Sequence, residues 1–223
     1  MRILYRPKCN IDLGLLNRSH PFDGRKFEKV FRAISSGRAA NILAPEYPID
    51  EVAVNAFVDP PMRRLIKGKR YIQRALEQPY VPQLPFGTID RRVLLPMRWA
   101  VAGTIKGATL ALNGESCRNL SGGYHHASRS AAKLAAALGQ VDGGFKLAFV
   151  VAGTDVLASD RLGGLKLTIE ECVQRDRLVE EKLRSLSVPW VFVAGGGYSR
   201  DSSRAMITSL LDEKVFCRVT IRG

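Results

Sequence analysis

Two adjacent histidines, one aspartate and one tyrosine stand just after glycines in this chain, each beyond a run readable as a β-strand. His125 and His126 fall in Asn119-Leu120-Ser121-Gly122-Gly123-Tyr124-His125-His126-Ala127, in a chain with three histidines in all. Asp155 ends Ala152-Gly153-Thr154-Asp155, and Tyr198 ends Gly195-Gly196-Gly197-Tyr198. A carboxylate at a strand end can bind a divalent metal, and a nearby imidazole can act as general base on a metal-bound water. A tyrosine hydroxyl beside three glycines can donate to the oxyanion of a tetrahedral intermediate. Together these are the parts of a metal-assisted amide hydrolysis site. Taken alone, the His-His stretch reads equally well as a surface turn with two ordinary histidines.

These residues need elements that aim them at one place. Arg2 to Tyr5, Ser116 to Leu120, Lys146 to Val151 and Val188 to Ala194 read as strands, and Val215 to Ile221 as a closing strand. Phe27, Val30, Phe31 and Ile34 give Lys26 to Ser36 a helical apolar stripe, with Gly37 as its stop. Pro45 to Pro61 carries four prolines and reads as mostly irregular, and Pro79 to Pro85 as loop. Met62 to Gln78 reads as one basic helix, with Arg63, Lys67, Arg70 and Arg74 along a face. That face is either solvated or a docking surface for an acidic partner. Leu94 to Asn113 reads as a buried helix whose Gly103 and Gly107 allow close packing, and Ser130 to Leu138 as an Ala-rich helix. Thr168-Ile169-Glu170-Glu171 is a capping box opening a helix to about Ser187, and Asp201 to Leu211 is a further helix. Helices alternating with strands predict parallel pairing, and ligands in such sheets gather beyond the carboxyl ends of the strands.

The chain has 223 residues, 46% hydrophobic and 25% charged, as a globular domain would. No apolar run is long enough to span a bilayer, and Met1 to Arg6 lacks the apolar core of a signal peptide. No membrane partner is expected. Cys9, Cys117, Cys172 and Cys217 are scattered, which predicts reduced thiols and a cytoplasmic protein. The net charge of +13 would attract acidic partners, but no nucleic-acid-binding signature accompanies it, so a nucleic-acid partner is not expected.

The motifs resemble the histone deacetylase family, with its arginase–deacetylase fold, and particularly its class IV and related bacterial members. The similar segments run in family order. They are Ser19-His20-Pro21-Phe22-Asp23, Pro96-Met97-Arg98-Trp99 with Gly103-Thr104-Ile105, and the His-His stretch. Then come Ala152-Gly153-Thr154-Asp155-Val156-Leu157, Asp160-Arg161-Leu162-Gly163-Gly164, Arg175-Asp176 and Gly195-Gly196-Gly197-Tyr198-Ser199-Arg200-Asp201. The resemblance implies one three-layer α/β/α domain over residues 1–223, with a mainly parallel sheet. It implies a zinc-dependent deacetylase acting on an acylated lysine, a polyamine or another small amide. It makes His125 and His126 the paired active-site histidines, with His126 the general base. Asp155 matches a zinc-ligand aspartate and Tyr198 the tyrosine that polarises the acyl carbonyl. His20 and Phe22 match a loop near the pocket mouth.

One motif of the family is missing. Relatives carry a strand ending in Asp-x-Asp-x-His, which supplies the other two zinc ligands. Here Arg18, Gly123 and Tyr124 stand two before the three histidines, so no Asp-x-His exists. Residues 128–146 pass directly into the next strand, as if central elements were deleted. Catalytic zinc takes three protein ligands and a water, and Asp155 alone cannot hold it tightly. Asp142, Asp160 and His20 have no spacing that recommends them as substitutes. Three readings follow: a deacetylase whose missing ligands come from a second chain, a non-catalytic remnant that binds an acyl group or an acidic partner, and a basic binding protein using the Arg63 to Arg74 face.

Overall fold

The computed structural model describes residues 1–12, 14, 23–38, 41–76, 81–122, 138–163 and 165–212. Among these residues five strands form one parallel sheet: β1 (Arg2–Leu4), β2 (Ile42–Leu43), β3 (Cys117–Asn119), β4 (Ala148–Ala152) and β5 (Trp190–Ala194). Their order is β2-β1-β3-β5-β4, and every neighbouring pair is parallel. This is the parallel α/β architecture that the alternation of elements predicts, and it is consistent with the arginase–deacetylase-like fold that the resemblance implies.

Helices cover both faces. On one face lie α1 (Lys26–Arg38), α7 (Ile169–Ser185) and α8 (Ser202–Leu211). Phe27, Val30 and Ile34 of α1 pack with Leu210 of α8 on Ile3, Tyr5, Leu120 and Ala194. Burying each such side chain stabilises the fold by about 1.5–3 kcal/mol. Leu183 of α7 packs on Trp190 and Phe192 of β5, with Ala148, Val150 and Ala152 of β4 beside them. The opposite face carries α6 (Leu95–Leu112), whose Ala111 packs on Leu4, Cys117, Val191 and Val193. Gly103 and Gly107 allow this contact. A Cβ at Gly107 would stand 3.1 Å from Val191 and 3.2 Å from Leu4, and one at Gly103 would meet the Asn119 amide at 3.0 Å. The connections β1 to β2 and β4 to β5 cross the first face, and β2 to β3 crosses the second in the opposite direction. A single crossover hand requires that arrangement.

Several expectations change. Gly37 does not stop α1, which runs to Arg38. Pro45 to Pro61 is not mostly irregular: α2 (Glu51–Phe57) starts there, because the Asp50 side chain accepts from the Ala53 N–H at 2.6 Å. Pro60 then sits in the first turn of α3 (Pro60–Ile66), where its missing N–H costs nothing. The single basic helix is two, α3 and α4 (Lys69–Leu76), with Lys67 and Gly68 between them. Arg63 donates to the Val58 carbonyl, and Lys67 pairs with Glu51 at 3.1 Å. The proposed basic face is therefore not one straight stripe, and two of its cations already have partners. A short α5 (Phe86–Ile89) and one π-helical turn (Asp90–Leu94) lead into α6, which buries one side only: Val101, Ile105 and Leu112 are exposed. The predicted Ser130 to Leu138 helix, but for Leu138, and the closing strand lie outside the described residues.

The capping box forms as the sequence predicts. Thr168 accepts from Glu171 N–H at 3.1 Å, and Glu171 accepts from Thr168 N–H at 2.8 Å. Thr168→Ala removes one of the two bonds and lowers unfolding free energy by about 1 kcal/mol, read as a lower urea midpoint at unchanged slope.

Candidate functional site

The carboxyl ends of β3, β4 and β5 lie at one edge of the sheet, since the strands are parallel. Beyond β4 and β5 the two glycine turns are laced together. Thr154 N–H donates to the Gly196 carbonyl at 2.8 Å, and Gly195 N–H donates to the Ala152 carbonyl at 3.3 Å. Only glycine permits this approach: a Cβ at Gly195 would fall 2.8 Å from the Gly153 backbone. Gly197 adds a φ of +143°, and a Cβ there would meet Thr154 Oγ1 at 2.0 Å. The loops bearing Asp155 and Tyr198 are thus held side by side, Asp155 buried and Tyr198 half-buried.

Asp160 fixes this arrangement. One carboxylate oxygen accepts from Tyr198 N–H at 2.6 Å and Ser199 N–H at 3.2 Å. The other accepts from Leu162 N–H at 2.9 Å and Gly163 N–H at 3.2 Å. The carboxylate is occupied by backbone donors, which answers the idea that it could replace a metal ligand.

Lys26, the first residue of α1, reaches the same place. It is 1% exposed, and its ammonium donates to the Gly195 carbonyl at 3.1 Å and the Gly197 carbonyl at 3.2 Å. Burial pushes its pKa down to about 8, against the pull of Asp155, Asp160 and Asp23. A lysine opening an amphipathic helix reads as solvated, and the carbonyls it meets leave no mark in a sequence.

At the end of β3, Asn119 holds the start of the His-His stretch. Its amide donates to the Ala100 carbonyl and to Thr104 Oγ1, both at 3.0 Å, while its oxygen accepts from Ser121 N–H and Oγ. The chain is anchored to α6 as far as Gly122. His125 and His126 lie outside the described residues, as do His20 and Phe22.

Beneath the strand ends, a cavity of about 30 Å³ is lined by Arg118, Asn119, Thr154, Cys172, Asp176 and Ser209. It has room for water but not for an acyl-lysine. Burial pushes the Cys172 and Cys117 thiols up to about 11, and Cys9 is raised too, so these cysteines are poor nucleophiles at neutral pH.

The family model of the histone deacetylase domain matches residues 144–213, which contain β4, both laced turns, α7, β5 and α8. Histone deacetylase 2 of Arabidopsis thaliana is 28% identical over 126 residues, 56% of this chain and 33% of that protein. Over these stretches the chain is similar to histone deacetylases. The aligned stretch spans about a third of the length of that curated relative. A deacetylase domain suggests a metal ion, and the residues of this chain can be tested against one. Among the described residues no three His, Cys, Asp or Glu side chains cluster to hold one. Asp155 is a suitable donor, Asp160 is occupied, and the sequence contains no Asp-x-His. A buried ammonium also stands on the Gly195 and Gly197 carbonyls. This donor set does not fit a tightly held catalytic zinc, which takes three protein ligands.

Proposed function

We propose that this chain carries the acyl-amide-facing part of a deacetylase site and binds an acylated amine without hydrolysing it as a lone chain. The observation behind this reading is the lacing of the Asp155 and Tyr198 turns around Lys26, where the described residues bring no three metal-ligating side chains together. In this reading the Tyr198 hydroxyl donates to the acyl carbonyl. His125 and His126 flank the amide, and Asp155 and Lys26 set the charge behind it. Acetyl-lysine, polyamine amides and other small amides share the chemistry that this site addresses. The similarity to class IV and bacterial members rests on the sequence motifs. A cytoplasmic location is supported by free, buried thiols at Cys9, Cys117 and Cys172.

A second reading is favoured by the intact turn geometry at Tyr198. It makes the chain a zinc-dependent hydrolase completed by ligands from another chain. One experiment separates the two: metal content of the purified chain, together with hydrolysis of a fluorogenic acetyl-lysine peptide. The expected result is substoichiometric zinc, no turnover, and acetyl-lysine peptide binding that weakens in Tyr198→Phe. Stoichiometric zinc with turnover lost in His126→Ala establishes the hydrolase instead.

A further inference from the structure

Parallel sheets are normally covered on both faces and their strands lie inside the sheet. β4 departs from this twice. It is the last strand of the sheet, so among the described residues nothing pairs with its outer edge. On the α6 side of the sheet its Phe149 is 54% exposed and its Val151 43% exposed. The ladder to β5 uses alternate residues: Ala148 N–H donates to Pro189, and the Ala152 carbonyl accepts from Gly195. Phe149 and Val151 therefore turn their own N–H and C=O groups outward. Ala-Phe-Val-Val-Ala contains none of the lysines, prolines or bulges by which exposed edges are usually blunted.

We infer that this edge pairs with the same edge of a second copy, antiparallel about a two-fold axis through Val150. The outward groups lie one residue before and one after Val150, so the edge is complementary to itself. Phe149 of each copy faces Val151 of the other, and each of the two pairs exchanges two backbone hydrogen bonds. The Phe149 ring then packs on the opposite Val151, an aromatic to β-branched pair of the kind that stabilises sheets. The two Val150 residues meet as a non-hydrogen-bonded pair, with Cα atoms about 4.5 Å apart. Two five-stranded sheets become one continuous sheet, and the same patch serves both copies, as a two-fold interface requires. Exposed Val101 and Ile105 on α6, over the same face of the sheet, offer further apolar surface.

Charge distinguishes this occupant from others. Two chains of +13 repel each other, so salt strengthens their association. An acidic protein on the same edge would be released by salt. Residues 123–137 of the same chain would cover the edge without any change in mass.

The test is sedimentation equilibrium of the full chain at tens of micromolar, at low and at high salt. The expected mass is twice that of one chain, with the dimer fraction rising as salt is added. Phe149→Lys, at a side chain already exposed, should return the mass to that of one chain while leaving the far-UV spectrum unchanged. In a Cys217→Ser background, Val150→Cys should cross-link two copies on mild oxidation, and Ala148→Cys should not. A single-chain mass at every salt concentration overturns the inference. So does a dimer that survives Phe149→Lys, or one that cross-links through position 148 but not 150.

Discussion

Arg118→Ala should lower the unfolding free energy by about 3–5 kcal/mol, the range for removing one partner of a buried ion pair. Arg118 projects from β3 into the layer between the sheet and helices α7 and α8, where it is 6% exposed. Its guanidinium donates twice to Glu180, at 3.1 and 2.5 Å, and once to Ser209 at 2.8 Å. Ser209 passes a hydrogen bond on to Asp176 at 2.6 Å, and Asp176 also accepts from Arg175 at 3.0 and 2.7 Å. Arg175 reaches the Gly153 carbonyl at 2.5 Å, so the chain of bonds ends at the Asp155 turn. Two cations and two carboxylates make the group neutral while every member stays buried. Removing Arg118 leaves Glu180 and Asp176 facing one remaining cation. Burial pushes both carboxyls up, and the guanidinium charges bring only Asp176 below its ordinary value. Without Arg118 the Glu180 carboxyl rises further, and the variant is relatively more stable when Glu180 is protonated. The loss against wild type should therefore shrink as the pH falls towards the carboxylate range. Urea titrations at neutral and acid pH measure both effects. Arg118→Met keeps most of the aliphatic stem and removes the guanidinium, both its charge and its place 4.5 Å from the Phe192 ring centroid.

This network shows why the sequence is uneven in what it discloses. Strands ending in glycine turns, the capping box at Thr168 and the Gly103/Gly107 spacing are local patterns, and local hydrogen bonding and packing enforce them in the fold. The Arg118 group joins residues up to 91 positions apart, and nothing near Arg118 marks it as buried. Lys26 is hidden for another reason: its partners are backbone carbonyls, which any residue could supply. In the proline-rich stretch the signal was present but outweighed. Asp50 and Asp59-Pro60 are helix-start patterns, while the prolines read as breakers. The candidate site was legible in the order of its motifs and in the missing Asp-x-His. Its support was not, because Asp160 serves as an anchor for backbone donors rather than as a reactive group.

Asp160→Ala is the variant that separates support from chemistry in this site. Four backbone N–H groups, those of Leu162, Gly163, Tyr198 and Ser199, lose their acceptor at once. An unsatisfied buried donor costs about 1–3 kcal/mol, and water reaches some of these part-buried groups, so a net loss of about 3 kcal/mol is expected. Asp160→Asn should recover part of it, because its carbonyl oxygen still accepts on one side while its NH2 opposes the donors on the other. The larger consequence lies at Tyr198. Its backbone is tied to Asp160 on one side and to the glycine turn on the other, so releasing the first tie frees the phenol to move. If Tyr198 receives an acyl carbonyl, Asp160→Ala weakens acetyl-lysine peptide binding as much as Tyr198→Phe does, although Asp160 itself bonds to the backbone. The double variant should then lose little more than either single one, since both remove the same hydrogen bond to the ligand. Binding titrations of the three variants, with melting temperatures recorded beside them, decide the matter. Additive losses would mean that Asp160 acts on the ligand by some route other than Tyr198.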